Sequence, residues 1–186
     1  MARWKLVKSG RVEMLPGKVA PRVLSRLSAL QHTVAPRVVA ACFGTIWNRW
    51  CTGRRFNREA PCVFGCKWPA QDSIEHYVCC VAVHRVATNV LRLDIKKSET
   101  LEWFVLAHPG LADEETLVCT ATLVYAVYNS TNTLRKIGKF DPRLANDTME
   151  QSILEAVRGH PASEKVLNGR WVQDRQHKRR RVRACE

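Results

Sequence analysis

Apolar residues recur at helical spacing along most of the chain. Between Val19 and Gln31, the side chains of Val19, Val23, Leu24, Leu27 and Leu30 fall on one stripe, with Arg22 and Arg26 on another face. That pattern predicts an amphipathic helix. A second helix is predicted from Thr33, a candidate N-cap with Pro36 in the first turn, to about Trp50. It buries Val38, Val39, Cys42, Phe43, Ile46 and Trp47 to varying degrees, and Gly53 stops it. Residues 54–72 have no period and contain Pro61, Gly65 and Pro69, which predicts an irregular loop. Asp72 or Ser73 then caps a helix that carries His76, Cys79, Cys80, Val83, Val86 and Val90 towards Leu93.

Ser98 and Glu99 open a further helix through Trp103 to Leu106, ended by Pro109-Gly110. Asp113, Glu114 and Glu115 begin a long one that closes at Arg135, Lys136 and Gly138, with charges that suit the helix dipole at both ends. Its middle, Leu117 to Tyr128, is rich in Val and Thr and also admits a strand. A last helix runs from about Asn146 to Arg158, ahead of Gly159-His160-Pro161, with a helical turn over Ser163 to Leu167. The pattern predicts a mainly α fold. Residues 1–18 read as an irregular arm, 19–93 and 98–170 as helical regions, and 171–186 as a disordered basic tail.

Composition sets limits on this picture. The chain has 186 residues, 46% of them hydrophobic, which is room for one domain with a real core. No apolar run approaches the ~20 residues of a membrane-spanning helix. The basic start Met1 to Lys8 has no apolar core behind it, so it does not read as a signal peptide. The expectation is an intracellular, reducing location without a membrane partner, where thiols ligate metal or pack.

Charge changes the picture more. Thirty Lys+Arg against 17 Asp+Glu give +13, which favours an anionic partner, nucleic acid before membrane. Residues 1–60 hold 12 basic and 2 acidic side chains, residues 61–174 hold 12 and 14, and residues 175–186 hold 6 and 1. Two basic ends flank a nearly neutral body.

The densest chemistry lies between Cys62 and His84. Cys62-Val-Phe-Gly-Cys66 puts two thiols on a tight turn, with Gly65 free to take positive φ. His76 follows, then Cys79 and Cys80. His76 and Cys80 are four apart and would share a helical face; Cys79, three apart, would share it as well. Either cysteine completes a Cys3His set of the kind structural zinc favours, on a small loop-plus-helix knuckle within 19–93. His84 is better read as a surface or supporting residue. Four protein ligands leave no position for a reacting water, so the Zn2+ would be structural.

Pro61-Cys62-Val-Phe-Gly-Cys66, then Asp72-Ser-Ile-Glu-His76-Tyr and Cys80, resembles the zinc-binding (CCHC-type) segment found after the polymerase domain of LINE-type (non-LTR) retroelement reverse transcriptases. The approach through Ile46-Trp47-Asn48-Arg49-Trp50 and Arg54-Arg55-Phe56 is similar as well. The likeness covers about residues 35–92, with a weaker echo at Glu155 to His160. It departs in a longer gap before His76 and in the tandem Cys79-Cys80. The resemblance implies a C-terminal portion of such a protein without its polymerase domain. No Asp-Asp pair of a polymerase hairpin occurs, nor a Walker-type phosphate loop, so the chain is not expected to be an enzyme.

Arg49, Arg54, Arg55, Arg58 and Lys67 surround the knuckle, interleaved with Trp47, Trp50, Phe56 and Trp68. Guanidinium groups with exposed aromatic faces suit RNA or single-stranded DNA. The alternative is that the aromatics are core and the arginines a solvated face. The tail holds Lys178, Arg179, Arg180, Arg181 and Arg183, a tract fit for nuclear import or as a nucleic-acid arm. Cys42, Cys51 and Cys119 are expected to pack, and His32, His108 and His160 to cap or face solvent. The leading expectation is a zinc-stabilised nucleic-acid-binding module. A helical protein-interaction scaffold, using residues 114–136 for a partner or a second copy, is the competing one, and a retroelement relic without function is the third.

Overall fold

A computed structural model describes residues 5–8, 11–14, 19–67, 70–96, 98–138 and 141–168. Two short strands, β1 (Lys5–Lys8) and β2 (Arg11–Met14), pair antiparallel, with Val7 opposite Val12. The arm expected to be irregular therefore contains a short ladder. Eight α-helices follow among the described residues: α1 (Val19–Thr33), α2 (Pro36–Ile46), α3 (Ile74–Cys79), α4 (Val81–Asn89), α5 (Thr100–Phe104), α6 (Glu114–Ile137), α7 (Pro142–Val157) and α8 (161–168). The fold is mainly α, as the periodicity predicts. None of these helices is long and apolar enough to cross a membrane.

Helix α6 is the centre of the molecule. Its residues Leu117 to Val127 are all buried, the Thr and Val positions included, under α1, α2, α5 and α7. A helix apolar on every side belongs inside; this is why its middle mimics a buried strand in sequence and yet is helical throughout. Asp113 accepts a hydrogen bond from the Thr116 N–H at 2.7 Å, and Gly138 closes the helix in the left-handed region at φ 71°. The apolar residues of 114–136 are thus covered by the chain itself. One hydrophobic cluster takes in Leu30, Trp50, Phe64 and Val86 together with Leu123, Met149 and Ile153, so 19–93 and 98–170 share a core.

Several boundaries differ from expectation. Thr33 is the last residue of α1, and Ala35 (φ −59°, ψ 145°) stands before α2 without a side-chain cap. Pro36 excludes the helical conformation for the residue ahead of it, and this sets the break. Helix α2 stops at Ile46, before Gly53 is reached. Asn48 takes φ +50°, and the Arg49 N–H turns back to the Gly44 carbonyl at 2.8 Å. Helix α7 begins at Pro142, ahead of Asn146, because Asp141 caps it. Helix α5 is shorter than 98–106, and Leu106 bends the chain at φ +59°.

Arg26 also departs from the helical-wheel reading. It is buried, and its guanidinium donates to the Leu106 carbonyl at 2.7 Å and the Pro109 carbonyl at 3.5 Å. Burial, with Arg22 nearby, lowers its pKa. A cation is spent on the backbone of a bent loop.

Candidate metal centre

The loop that holds the first two thiols is closed by backbone. Pro61 and Gln71 form an isolated antiparallel bridge, the Cys62 N–H donates to the Ala70 carbonyl at 2.9 Å, and the Asp72 N–H to the Ala60 carbonyl at 2.9 Å. Inside it the Gly65 N–H donates to the Cys62 carbonyl at 3.1 Å. Gly65 has φ +74°, and a Cβ there would come within 2.7 Å of Pro142 Cδ. Both the turn and the close approach of α7 demand glycine. The tight turn brings Cys66 round towards Cys62.

The other two candidate ligands come from the helical side. Ser73, not Asp72, is the N-cap of α3 and accepts from the His76 N–H at 3.1 Å. The expected single helix is broken at Cys80, which has extended dihedrals (φ −63°, ψ 130°) between α3 and α4. His76 and Cys80 therefore do not meet as neighbours on one helical face. The kink itself delivers the Cys80 thiol. Cys79 remains on α3, exposed, with its Sγ donating back to the Glu75 carbonyl at 3.3 Å. Of the two tandem cysteines, Cys80 joins the cluster.

One ligand atom from each of Cys62, Cys66, His76 and Cys80 lies within 4.8 Å of the others, and Cys66 Sγ is 3.4 Å from Cys80 Sγ. These four residues can hold a metal ion. Two thiolates at about 2.3 Å from a tetrahedral zinc would stand roughly 3.8 Å apart, close to this spacing. Nε2 of His76 is buried without a hydrogen-bond partner. A buried lone pair or N–H left unpaired is costly, and coordination would satisfy the nitrogen. The thiols are crowded as well. A hydrogen bond donated to Cys62, together with burial, pushes the Cys80 thiol up to about 12, and burial with Cys80 nearby raises Cys66. A coordinated cation reverses that preference, because it binds thiolate. His84 lies outside the set.

A second group braces this one. The Asp72 carboxylate accepts from Arg135 Nε at 2.9 Å, Arg135 Nη2 at 2.6 Å, the Gly53 N–H at 2.8 Å and the Tyr77 hydroxyl. Tyr77, next to His76, packs edge-on against Phe64 at 5.2 Å and near Trp50 at 6.1 Å. Burial alone would raise the Asp72 pKa; the bonds from Arg135, Tyr77 and Gly53 outweigh it and hold the carboxyl below its usual range. Sequence reading treats Arg135 only as a charge at a helix end and Asp72 only as a cap. An acid beside a second capping residue was the available signal.

Arg49, Arg55, Arg58 and Lys67 are exposed, and Phe56 is exposed beside them. Arg54 lies in the helical turn Arg54–Phe56. Trp50, by contrast, is core: it is 1% exposed and donates from Nε1 to Thr45 Oγ1 at 3.0 Å. Trp47 stacks on Phe43 with ring centres 4.2 Å apart, and the Arg49 guanidinium sits 5.4 Å from the Phe43 ring centre. Trp68, Lys178, Arg179, Arg180, Arg181 and Arg183 lie outside the described residues.

Of the remaining candidates, Cys42 packs as expected and Cys51 is exposed. His108 is a cap: its Nδ1 accepts from the Gly110 N–H at 3.1 Å, its Nε2 is 3.2 Å from Glu99, and the ring stacks on Trp103. No protein-family model, curated protein or solved structure matches the chain.

Proposed function

We propose that this chain is a zinc-stabilised nucleic-acid-binding module, of the kind that follows the polymerase domain in LINE-type reverse transcriptases, and that it has no catalytic role of its own. The observation that carries the reading is the convergence of Cys62, Cys66, His76 and Cys80 beside an unbroken basic stretch. From Met14 to Arg58 there are eight Lys or Arg residues and no Asp or Glu. Three thiolates and an imidazole suit Zn2+ above harder cations, and four protein ligands give it a structural part. The ion would fix the 61–80 segment and with it the turn that carries Arg54, Arg55 and Arg58. Exposed Arg55, Arg58 and Lys67 then supply phosphate contacts, with exposed Arg49 as a further contact and RNA or single-stranded DNA as the partner. The tract from Lys178 to Arg183 would add a second contact or direct nuclear import.

Binding of labelled single-stranded RNA and DNA, measured by fluorescence anisotropy at two salt concentrations, tests the reading. The affinity is expected to fall steeply with salt, and to weaken when Arg54, Arg55 and Arg58 are all changed to Ala. No binding to either strand, or binding indifferent to salt, overturns it.

A further inference from the structure

A groove of about 560 Å³ opens on the face where α2 leaves α1, with Phe43, Gly44, Arg49, Trp50 and Tyr128 among its walls and Gln31 at its rim. We infer that this groove is a stacking site for an unpaired base of the bound strand. The inference rests on the nucleic-acid reading above and gives it a specific contact.

Three observations converge on a flat, electron-rich ring carried by an anionic backbone. First, an exposed aromatic ring, Phe43, and a cation, Arg49, line the groove, whereas Trp50 is core. Phe43 backs onto Trp47, and the planar guanidinium of Arg49 lies over the Phe43 ring. Bases stack on both kinds of surface. Secondly, Gly44 sits inside α2, where glycine weakens a helix. Nothing lies within 4 Å of the place its Cβ would occupy, and no positive φ requires it. Packing does not explain the residue; its effect is to leave the groove floor open, so that a ring can approach the backbone. Thirdly, the one charged wall of the groove is cationic: Arg49 lines it and no acidic residue does. The volume is in the range of ~300–1,000 Å³ that takes a small organic ligand, room enough for a base with its sugar. An apolar peptide helix would use the aromatic wall but not the guanidinium of Arg49.

The test compares a labelled single-stranded RNA of about 12 nucleotides, within the span such proteins cover, with an abasic strand of the same length. Gly44→Leu fills the groove floor from within a helix it should strengthen, and circular dichroism checks that the fold is kept. Gly44→Leu is expected to weaken binding of the base-bearing strand on the order of ten-fold, towards the level of the abasic strand. Its binding of the abasic strand should not change. Arg49→Gln should show the same selective loss if the guanidinium stacks, because a phosphate contact alone would weaken both strands alike. Equal affinity for both strands, unmoved by Gly44→Leu, overturns the stacking site while leaving the basic surface intact. Strand binding unmoved by Gly44→Leu, together with an apolar helical peptide that binds the native protein and not the variant, overturns it in favour of a protein groove. Failure to bind any strand removes the nucleic-acid reading itself, and the groove proposal with it.

Discussion

Arg135, in the last turn of α6, holds Asp72, at the threshold of α3, through two hydrogen bonds of 2.9 and 2.6 Å. The pair spans 63 residues and ties the segment bearing His76 and Cys80 to the central helix. Asp72 is almost fully buried (side chain 4% exposed) and Arg135 is partly so, at 20%. Breaking such a pair from one side leaves a charge without its partner. Arg135→Met should therefore lower unfolding free energy by about 3 kcal/mol in urea titration. A loss below about 1 kcal/mol would show that Tyr77 and the Gly53 N–H satisfy Asp72 without Arg135.

The same carboxylate fixes a pH dependence. Burial opposes its ionisation, but the bonds from Arg135, Tyr77 and Gly53 prevail, so its pKa is lower folded than unfolded. A group depressed in the folded state contributes stability above its unfolded pKa, near ~3.9, and loses it as pH falls through the folded value. Stability measured by urea at successive pH values should fall more steeply below about pH 4 in the native protein than in Asp72→Asn. Parallel curves would remove Asp72 from the account of acid unfolding.

Cys79 and Cys80 offer a sharper discrimination. Only Cys80 lies at the kink and within reach of Cys62, Cys66 and His76, whereas Cys79 bonds to its own helix. Native mass spectrometry of protein purified with zinc should find one ion per chain in the native form and in Cys79→Ser. Cys80→Ser should bind weakly or not at all. Chelation should lower the melting temperature of the first two and leave Cys80→Ser unmoved, since binding free energy adds to folding. Equal zinc content in both variants would mean that the tandem pair exchanges roles.

What could be read in the chain follows a physical line. Elements whose signal is local were legible: the α6 caps at Asp113 and Gly138, the turn glycine Gly65, and the cluster of Cys62, Cys66 and His76 with either Cys79 or Cys80. Their determinants are dihedral preferences and spacings of a few residues. What was missed depends on partners far along the chain. Trp50 looks like a stacking aromatic until Thr45, Tyr77 and Tyr128 enclose it. Arg26 looks like a solvated position on a helix until the loop at Leu106 folds over it, 80 residues away. The break at Cys80 carries no proline or glycine, so periodicity passes through it; the chain kinks there through extended dihedrals at Cys80 itself.

Arg26 gives the last prediction. Its hydrogen-bond acceptors are carbonyls of a loop in which Leu106 has φ +59°, a conformation that disfavours a bulky side chain by ~1–2 kcal/mol. Two effects compete on its removal. Arg26→Met releases a buried cation, which favours the folded state, but leaves the Leu106 carbonyl buried without its donor. The second effect should win, because the charge-assisted bond is short, at 2.7 Å, and an unpaired buried acceptor costs ~1–3 kcal/mol. The expected net loss is about 1–2 kcal/mol by urea titration. Amide exchange should quicken locally over Leu106 to Ala112, where the 3-10 turn depends on that anchor. Arg26→Lys, which keeps the charge but not the fork, should recover only part of the loss. A stabilised Arg26→Met, with exchange in the loop unchanged, would show that the buried charge outweighs the bonds it makes.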